Sequence, residues 1–167
     1  MKRNYSSQEY WDSRYTHEES YDWLHTYDDI KPFIESSKME HQMRVLVPGC
    51  GNSELSNDLY NEGYTNITSI DYSSVVVDAM NKKYGHLKYE VGDVTNLSTY
   101  ESGSFDLIID KSTLDCLANV GEDTTVRYAE EMYRLLSNGG IFVVVSYSNF
   151  RSETLMRENT MWEVLSE

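Results

Sequence analysis

A chain of 167 residues with 28 acidic against 14 basic side chains carries a formal charge of −14, which opposes binding to bare phosphate backbones and argues against nucleic acid as a partner. Its 40% hydrophobic and 13% aromatic content separates it from disordered sequences and suffices for one core, so residues 1–167 are expected to form a single domain. Only Cys50 and Cys116 are present, which excludes a disulfide framework and a C-x-x-C metal cluster, and no apolar run approaches the roughly 18 residues of a membrane helix; the expectation is a soluble, cytoplasmic chain without membrane partner or metal.

In chain order, Ser6-Ser7-Gln8-Glu9 offers a Ser-x-x-Glu capping box ahead of Tyr10-Trp11-Asp12-Ser13-Arg14-Tyr15, whose aromatics at 11 and 15 share one face of a short helix. A polar link leads to Tyr21-Asp22-Trp23, and a second helix is expected over residues 29–38 with Ile30, Phe33 and Ile34 on its buried face. Pro32 fits that helix only in its first turn.

From Arg44 the pattern alternates between short apolar strands and helical stretches, which predicts parallel β-α units and a Rossmann-like α/β fold over a core of residues 44–146. Val45 to Val47 is the first strand; its helix starts near Ser53, carries Leu55 and Leu59 inward and ends at Gly63. Residues 66–71 form the second strand, followed by a helix capped by Ser73 or Ser74 and carrying Val75, Val76, Ala79 and Met80. Residues 87–91 and 105–110 read as the third and fourth strands, and a long helix over residues 123–136 places Val126, Ala129, Met132 or Tyr133, and Leu136 on one side. Asn138-Gly139-Gly140 is read as a turn into the strand Ile141 to Val145.

The first strand stops at Gly49-Cys50-Gly51, a turn that brings bare backbone N–H groups up to a ligand. Asp71 closes the next strand 20 residues beyond Gly51, where α/β cofactor folds place the acceptor for ribose hydroxyls. Nicotinamide dinucleotides and S-adenosylmethionine share that pair. A dinucleotide fingerprint wants a glycine near position 54, whereas Glu54 would repel a pyrophosphate and suit a cationic ligand. The Tyr-x-x-x-Lys spacings of a short-chain dehydrogenase, Tyr27/Lys31 and Tyr84/Lys88, fall too early in the chain.

The runs V-P-G-C-G-N-S-E-L-S, T-S-I-D-Y-S-S-V-V-V and D-K-S-T-L-D, in that order, resemble the class I S-adenosylmethionine-dependent methyltransferases of the elongation factor 1-alpha lysine methyltransferase (methyltransferase-like) family. The resemblance implies methyl transfer from S-adenosyl-L-methionine to a protein lysine, with elongation factor 1-alpha as the acceptor, and S-adenosyl-L-homocysteine as product. It implies that Gly49, with Gly51, approaches the methionine part, that Asp71 takes the ribose hydroxyls and that Tyr72 packs on the adenine. Asp93 and Val94, after the third strand, meet the adenine edge and face, and Lys111 contacts the cofactor. Trp11, Tyr15 and Trp23 fold over it, so that residues 1–40 act as a helical lid; aromatic faces attract a sulfonium by roughly 0.5–2 kcal/mol.

Family members read Gly where this chain has Ser112. The D/N-P-P-Y/F signature of enzymes that methylate base amino groups is absent. Freeing a lysine amine of its proton at neutral pH costs roughly 4 kcal/mol, and Asp110 is the residue expected to position that amine, with Asp115 a cap or supporting group. After Val145 the chain holds a further helix over residues 150–157 and one short strand near residues 162–166, so the family's C-terminal edge hairpin is expected to be incomplete. The alternatives left open are another protein or small-molecule amine as acceptor, or a cofactor-binding module without activity.

Overall fold

In the computed structural model, residue 5, residues 7–36, 40–149 and 151–156, and residue 162 are described. Five strands, β1 (Val45–Pro48), β2 (Ile67–Asp71), β3 (Lys88–Val91), β4 (Phe105–Lys111) and β5 (Leu136–Val145), form one sheet in the order β3-β2-β1-β4-β5, and every pairing is parallel. The chain winds outward from β1 through β2 to β3, then returns to the other side of β1 as β4. A crevice forms at the carboxyl ends of β1 and β4, where that direction reverses.

Strand side chains alternate between two apolar layers. Val45, Val47, Leu107 and Ile109 face α2 (Tyr27–Ser36), α3 (Leu55–Asn61) and α4 (Ser74–Lys83), packing on Ile34, Leu59 and Met80. Leu46, Ile70 and Ile108 face the other way, onto Leu114 of α5 (Thr113–Ala118) and Tyr128, Met132 and Leu135 of α6 (Glu122–Leu135). Both sheet faces are thereby covered, as the near-continuous apolar run of β4 requires.

Several local expectations shift. Helix α2 starts at Tyr27, so Pro32 lies inside it beyond the first turn, and Phe33 is 60% exposed while Ile30 and Ile34 are buried. The buried stripe of α6 runs through Thr125, Tyr128, Ala129, Met132 and Leu135, one residue off the expected face beyond Ala129 and Met132. Ser73 caps α4 by accepting from the Val76 N–H, and Gly63 ends α3 at φ 103° while the Tyr64 N–H bonds the Leu59 carbonyl.

Asn138-Gly139-Gly140 does not stand outside the last strand. β5 begins at Leu136, and the glycines lie within an irregularity opposite the Phe105–Leu107 stretch. A Cβ on Gly140 would sit 2.9 Å from the Asp106 carbonyl oxygen, so the close approach requires glycine. Helix α1 (Gln8–Tyr15) has Ser7 at its N-cap position, with no side-chain capping bond, whereas the expected capping residue Ser6 lies outside the described residues. Beyond β5 a short helix α7 spans Arg151–Leu155, and the strand expected near residues 162–166 also falls outside the described residues apart from Trp162. No helix among the described residues is long and apolar enough to cross a membrane.

Candidate functional site

A pocket enclosing about 970 Å³ of space, open to solvent, lies at the carboxyl ends of β1, β2 and β4. All ten residues expected to hold a cofactor line it: Trp11, Tyr15, Trp23, Gly49, Gly51, Asp71, Tyr72, Asp93, Val94 and Lys111.

The turn after β1 forms the floor. Gly49 and Gly51 sit at φ 60° and 52°, and neither has room for a side chain. A Cβ on Gly49 would lie 2.2 Å from Thr113 Oγ1, and one on Gly51 would lie 2.9 Å from the Tyr15 hydroxyl. Thr113 is held there because its hydroxyl donates to the Pro48 carbonyl at 2.9 Å.

Asp71, at the end of β2, is 3% exposed. One carboxylate oxygen accepts from the Gly51 N–H and the other from the Ser73 N–H, both at 2.9 Å. Each oxygen keeps a lone pair for a ligand. Burial, opposed by those backbone bonds, pushes this carboxyl up to about 6.

Residues 8–25 cross the pocket mouth as a strap fastened to the loops at the strand ends. Gln8 donates to the Tyr72 carbonyl, Ser73 to Asp12, Asn52 to the Glu18 carbonyl, and Ser20 to Glu54. Asp22 accepts from both Ser53 and Lys111, and Lys111 Nζ also bonds the His25 carbonyl at 3.2 Å. That carbonyl is presented by a tight turn in which the His25 N–H bonds the Trp23 carbonyl and Leu24 takes φ 61°.

The strap's aromatic cluster already holds a cation. Trp11 and Tyr15 stack with centroids 5.6 Å apart, and Tyr5 and Trp23 meet Trp11 at 5.9 and 6.1 Å. The Arg14 guanidinium lies 4.7 Å from the centre of the Trp23 ring and 4.9 Å from that of Tyr21, and pairs bidentately with Glu18. Its hydrogen bonds to Glu18 raise the Arg14 pKa further. Arg14 also lies 5.7 Å from the centre of the Trp11 ring, so the protein's own cation shares the aromatic cluster while Trp11, Tyr15 and Trp23 all line the pocket.

Asp110 is placed differently from expectation. It is fully buried and does not line the pocket. Its carboxylate accepts from the Thr113 N–H at 2.7 Å, the Leu114 N–H at 3.0 Å and the Tyr128 hydroxyl at 2.6 Å. These bonds close the start of α5, and the carboxylate is engaged there rather than in the pocket. Asp115 is likewise engaged, with Ser146, the Tyr147 N–H and Arg151.

Burial pushes the Asp110 carboxyl up to about 7 against its three donors. Since Asp110 and Asp71 both titrate above the ordinary carboxylate value, folding favours their protonated forms. Their contribution to stability is complete below about pH 4 and is lost as pH rises through about 6 for Asp71 and 7 for Asp110. At fixed ionic strength the melting temperature should fall between pH 5 and pH 8, and Asp110→Asn should flatten that fall while lowering stability throughout. An Asp110→Asn variant with the wild-type pH slope would show that the carboxyl ionises without penalty.

Sequence reasoning missed three groups at the site. Asp22 was visible only as the middle of Tyr21-Asp22-Trp23, with no role assigned to it. Thr113 matters only because it faces Gly49 across the fold. Ser112 was visible solely as a departure from glycine; it takes the left-handed conformation at φ 71°, and its buried hydroxyl has no hydrogen-bond partner among the described residues. Cys116 also lines the pocket, where burial pushes its thiol up to about 12. A thiol so protonated is a poor nucleophile.

Comparison with known proteins follows the same geometry. A family profile described as "Methyltransferase domain" matches residues 39–166. The chain is 37% identical over 155 residues to EEF1A lysine methyltransferase 4 of Mus musculus, covering 83% of this chain and 60% of that protein. It is 33% identical over 178 residues to the Bos taurus protein of the same name, covering 96% and 69%. Among solved structures, an S-adenosylmethionine-dependent methyltransferase from Clostridium acetobutylicum superimposes with a TM-score of 0.60 at 20% identity, covering 73% of this chain and 49% of that one. That likeness establishes the Rossmann-like class I fold.

Proposed function

This chain belongs to the family of methyltransferase domains and, within it, to the EEF1A lysine methyltransferase 4 family, and from that premise we propose that it methylates a protein lysine with S-adenosylmethionine, elongation factor 1-alpha being the expected acceptor. The observation that carries this reading is the pocket itself, where the bare Gly49–Gly51 turn, the buried Asp71 carboxylate and the Asp93–Val94 step line one crevice under an aromatic strap.

The residues fit this cofactor in three places. Gly49 and Gly51 line the pocket as bare backbone, a close approach suited to the methionine chain. Asp71 presents its remaining lone pairs to a ribose hydroxyl pair. Asp93 has one oxygen held by the Thr95 N–H and hydroxyl, which leaves the other for a purine amino group beside Val94 and Tyr72.

S-adenosylmethionine supplies a methyl group made electrophilic by its sulfonium. The chain's own residues hold the acceptor in line, exclude water and favour the neutral amine. With Asp110 sealed away, desolvation by the strap and by Leu117 and Val120 lowers the amine's proton affinity, and the proton leaves to water. We place this action in the cytoplasm, a reducing compartment that suits the free cysteines Cys50 and Cys116.

Calorimetry should show S-adenosylhomocysteine binding and no binding of NAD; the reverse result would overturn the assignment. Labelled methyl transfer from S-adenosylmethionine should then mark purified elongation factor 1-alpha, with mass mapping locating a lysine. Binding without label would leave a cofactor-binding module. The charge of −14 draws in basic acceptors, so kcat/KM for the acceptor should fall several-fold between 50 and about 300 mM salt while cofactor affinity changes little. A salt-independent kcat/KM would remove electrostatic attraction from the account.

A further inference from the structure

We infer that the Ser112 hydroxyl accepts a hydrogen bond from the acceptor amine and sets its line of attack, an inference that rests on the methyl-transfer reading above. Three observations converge on it. Ser112 lines the pocket between Lys111 and Thr113, 7% exposed, and its hydroxyl oxygen is buried without a partner among the described residues. It holds a left-handed backbone conformation, φ 71° and ψ 5°, that serine rarely adopts. Strain of this kind persists where the surrounding structure imposes it, and it concentrates at ligand sites.

The third observation is the engagement of its neighbours. Asn52 bonds Glu18, Ser53 bonds Asp22, Lys111 bonds Asp22 and the His25 carbonyl, and Thr113 bonds the Pro48 carbonyl. Asp71 and Asp93 serve backbone groups at the cofactor side. Among the described residues, Ser112 is thus a polar group of the pocket wall left with its full hydrogen-bonding capacity, and it directly precedes Thr113, whose side chain packs on Gly49.

A serine oxygen that accepts one N–H of the neutral amine leaves the nitrogen lone pair to face the methyl group. As the nitrogen–carbon bond forms, the carbon–sulfur bond breaks and its electron pair stays on sulfur, giving a neutral thioether. The proton lost from the amine goes to water, and the serine keeps its own. The acceptor reaches the hydroxyl by parting the neighbouring Lys111–Asp22 contact, the strap's tie to this wall.

Two substitutions separate hydroxyl from backbone. Ser112→Ala removes the oxygen and keeps the strained conformation; Ser112→Gly removes both. The proposal expects kcat for labelled methyl transfer to elongation factor 1-alpha, at saturating cofactor, to fall about tenfold in both variants, the worth of one hydrogen bond in a dry site. Calorimetric affinity for S-adenosylhomocysteine should stay within about twofold, and Ser112→Gly alone should melt a few degrees higher. Wild-type kcat in Ser112→Gly would overturn the proposal, as would a tenfold loss of S-adenosylhomocysteine affinity in both variants with kcat retained, which would give the hydroxyl to the cofactor. If the wild-type protein binds S-adenosylhomocysteine but labels no acceptor, the methyl-transfer reading itself fails, and this role for Ser112 fails with it.

Discussion

Gly49→Ala is expected to destabilise the protein by roughly 3 kcal/mol or more and to abolish S-adenosylhomocysteine binding. A left-handed alanine costs about 1–2 kcal/mol, and the new methyl would meet Thr113 Oγ1 at 2.2 Å, Cγ2 at 2.7 Å and Cβ at 3.0 Å. Overpacking of that kind adds typically 1–3 kcal/mol. Thr113 cannot swing aside, since its hydroxyl is committed to the Pro48 carbonyl and its backbone N–H to Asp110. Gly139→Ala is the control: it also has positive φ, at 77°, but a Cβ there meets nothing within 4 Å. Denaturant titration should give it only the conformational part. In the double variant Gly49→Ala with Thr113→Ala the two effects should be strongly non-additive, with part of the stability recovered. A Gly49→Ala protein that melts and binds as the wild type would show that the contact relaxes freely.

Asp71→Asn should weaken cofactor binding about a hundredfold, because charge-assisted bonds to two ribose hydroxyls are worth roughly 1.5–3 kcal/mol each and the amide also turns donors toward the Gly51 or Ser73 N–H. The pH dependence makes the role testable without mutation. The free carboxyl titrates at about 6, and hydroxyl donors favour its ionised form. Affinity for S-adenosylhomocysteine should therefore rise with pH through about 6 and level off above 7, opposite in sign to the stability change, while Asp71→Asn should show no such rise. Equal wild-type affinities at pH 5 and pH 8 would remove Asp71 from the ribose contact.

The strands were legible because each is a short run of β-branched and aliphatic residues between polar turns, and burial on both faces leaves that run uninterrupted. Gly49, Gly51 and Asp71 were legible because their spacing follows from one strand-turn-helix-strand unit. Asp110 misled for a physical reason. A carboxylate at a strand's end looks free in sequence, but α5 starts at Thr113, close enough to take both oxygens, and Tyr128 arrives 18 residues later to complete the set. The aromatics of the strap were visible, while their partner was not: nothing in local spacing says that Arg14 turns back onto Trp23 and Tyr21. Pairings such as Lys111 with Asp22, 89 residues apart, are a product of topology alone.

That separation bears on how the molecule folds. The strap's ties to the strand-end loops bridge between 31 and 89 residues, so each closes a long loop whose entropy is repaid only after the sheet exists. The strap should dock last and open first. Hydrogen exchange would then find its amides protected by far less than the global unfolding free energy, and a bound ligand would raise their protection before that of β1 or β4. The same order of events keeps an unfinished chain from offering a finished pocket.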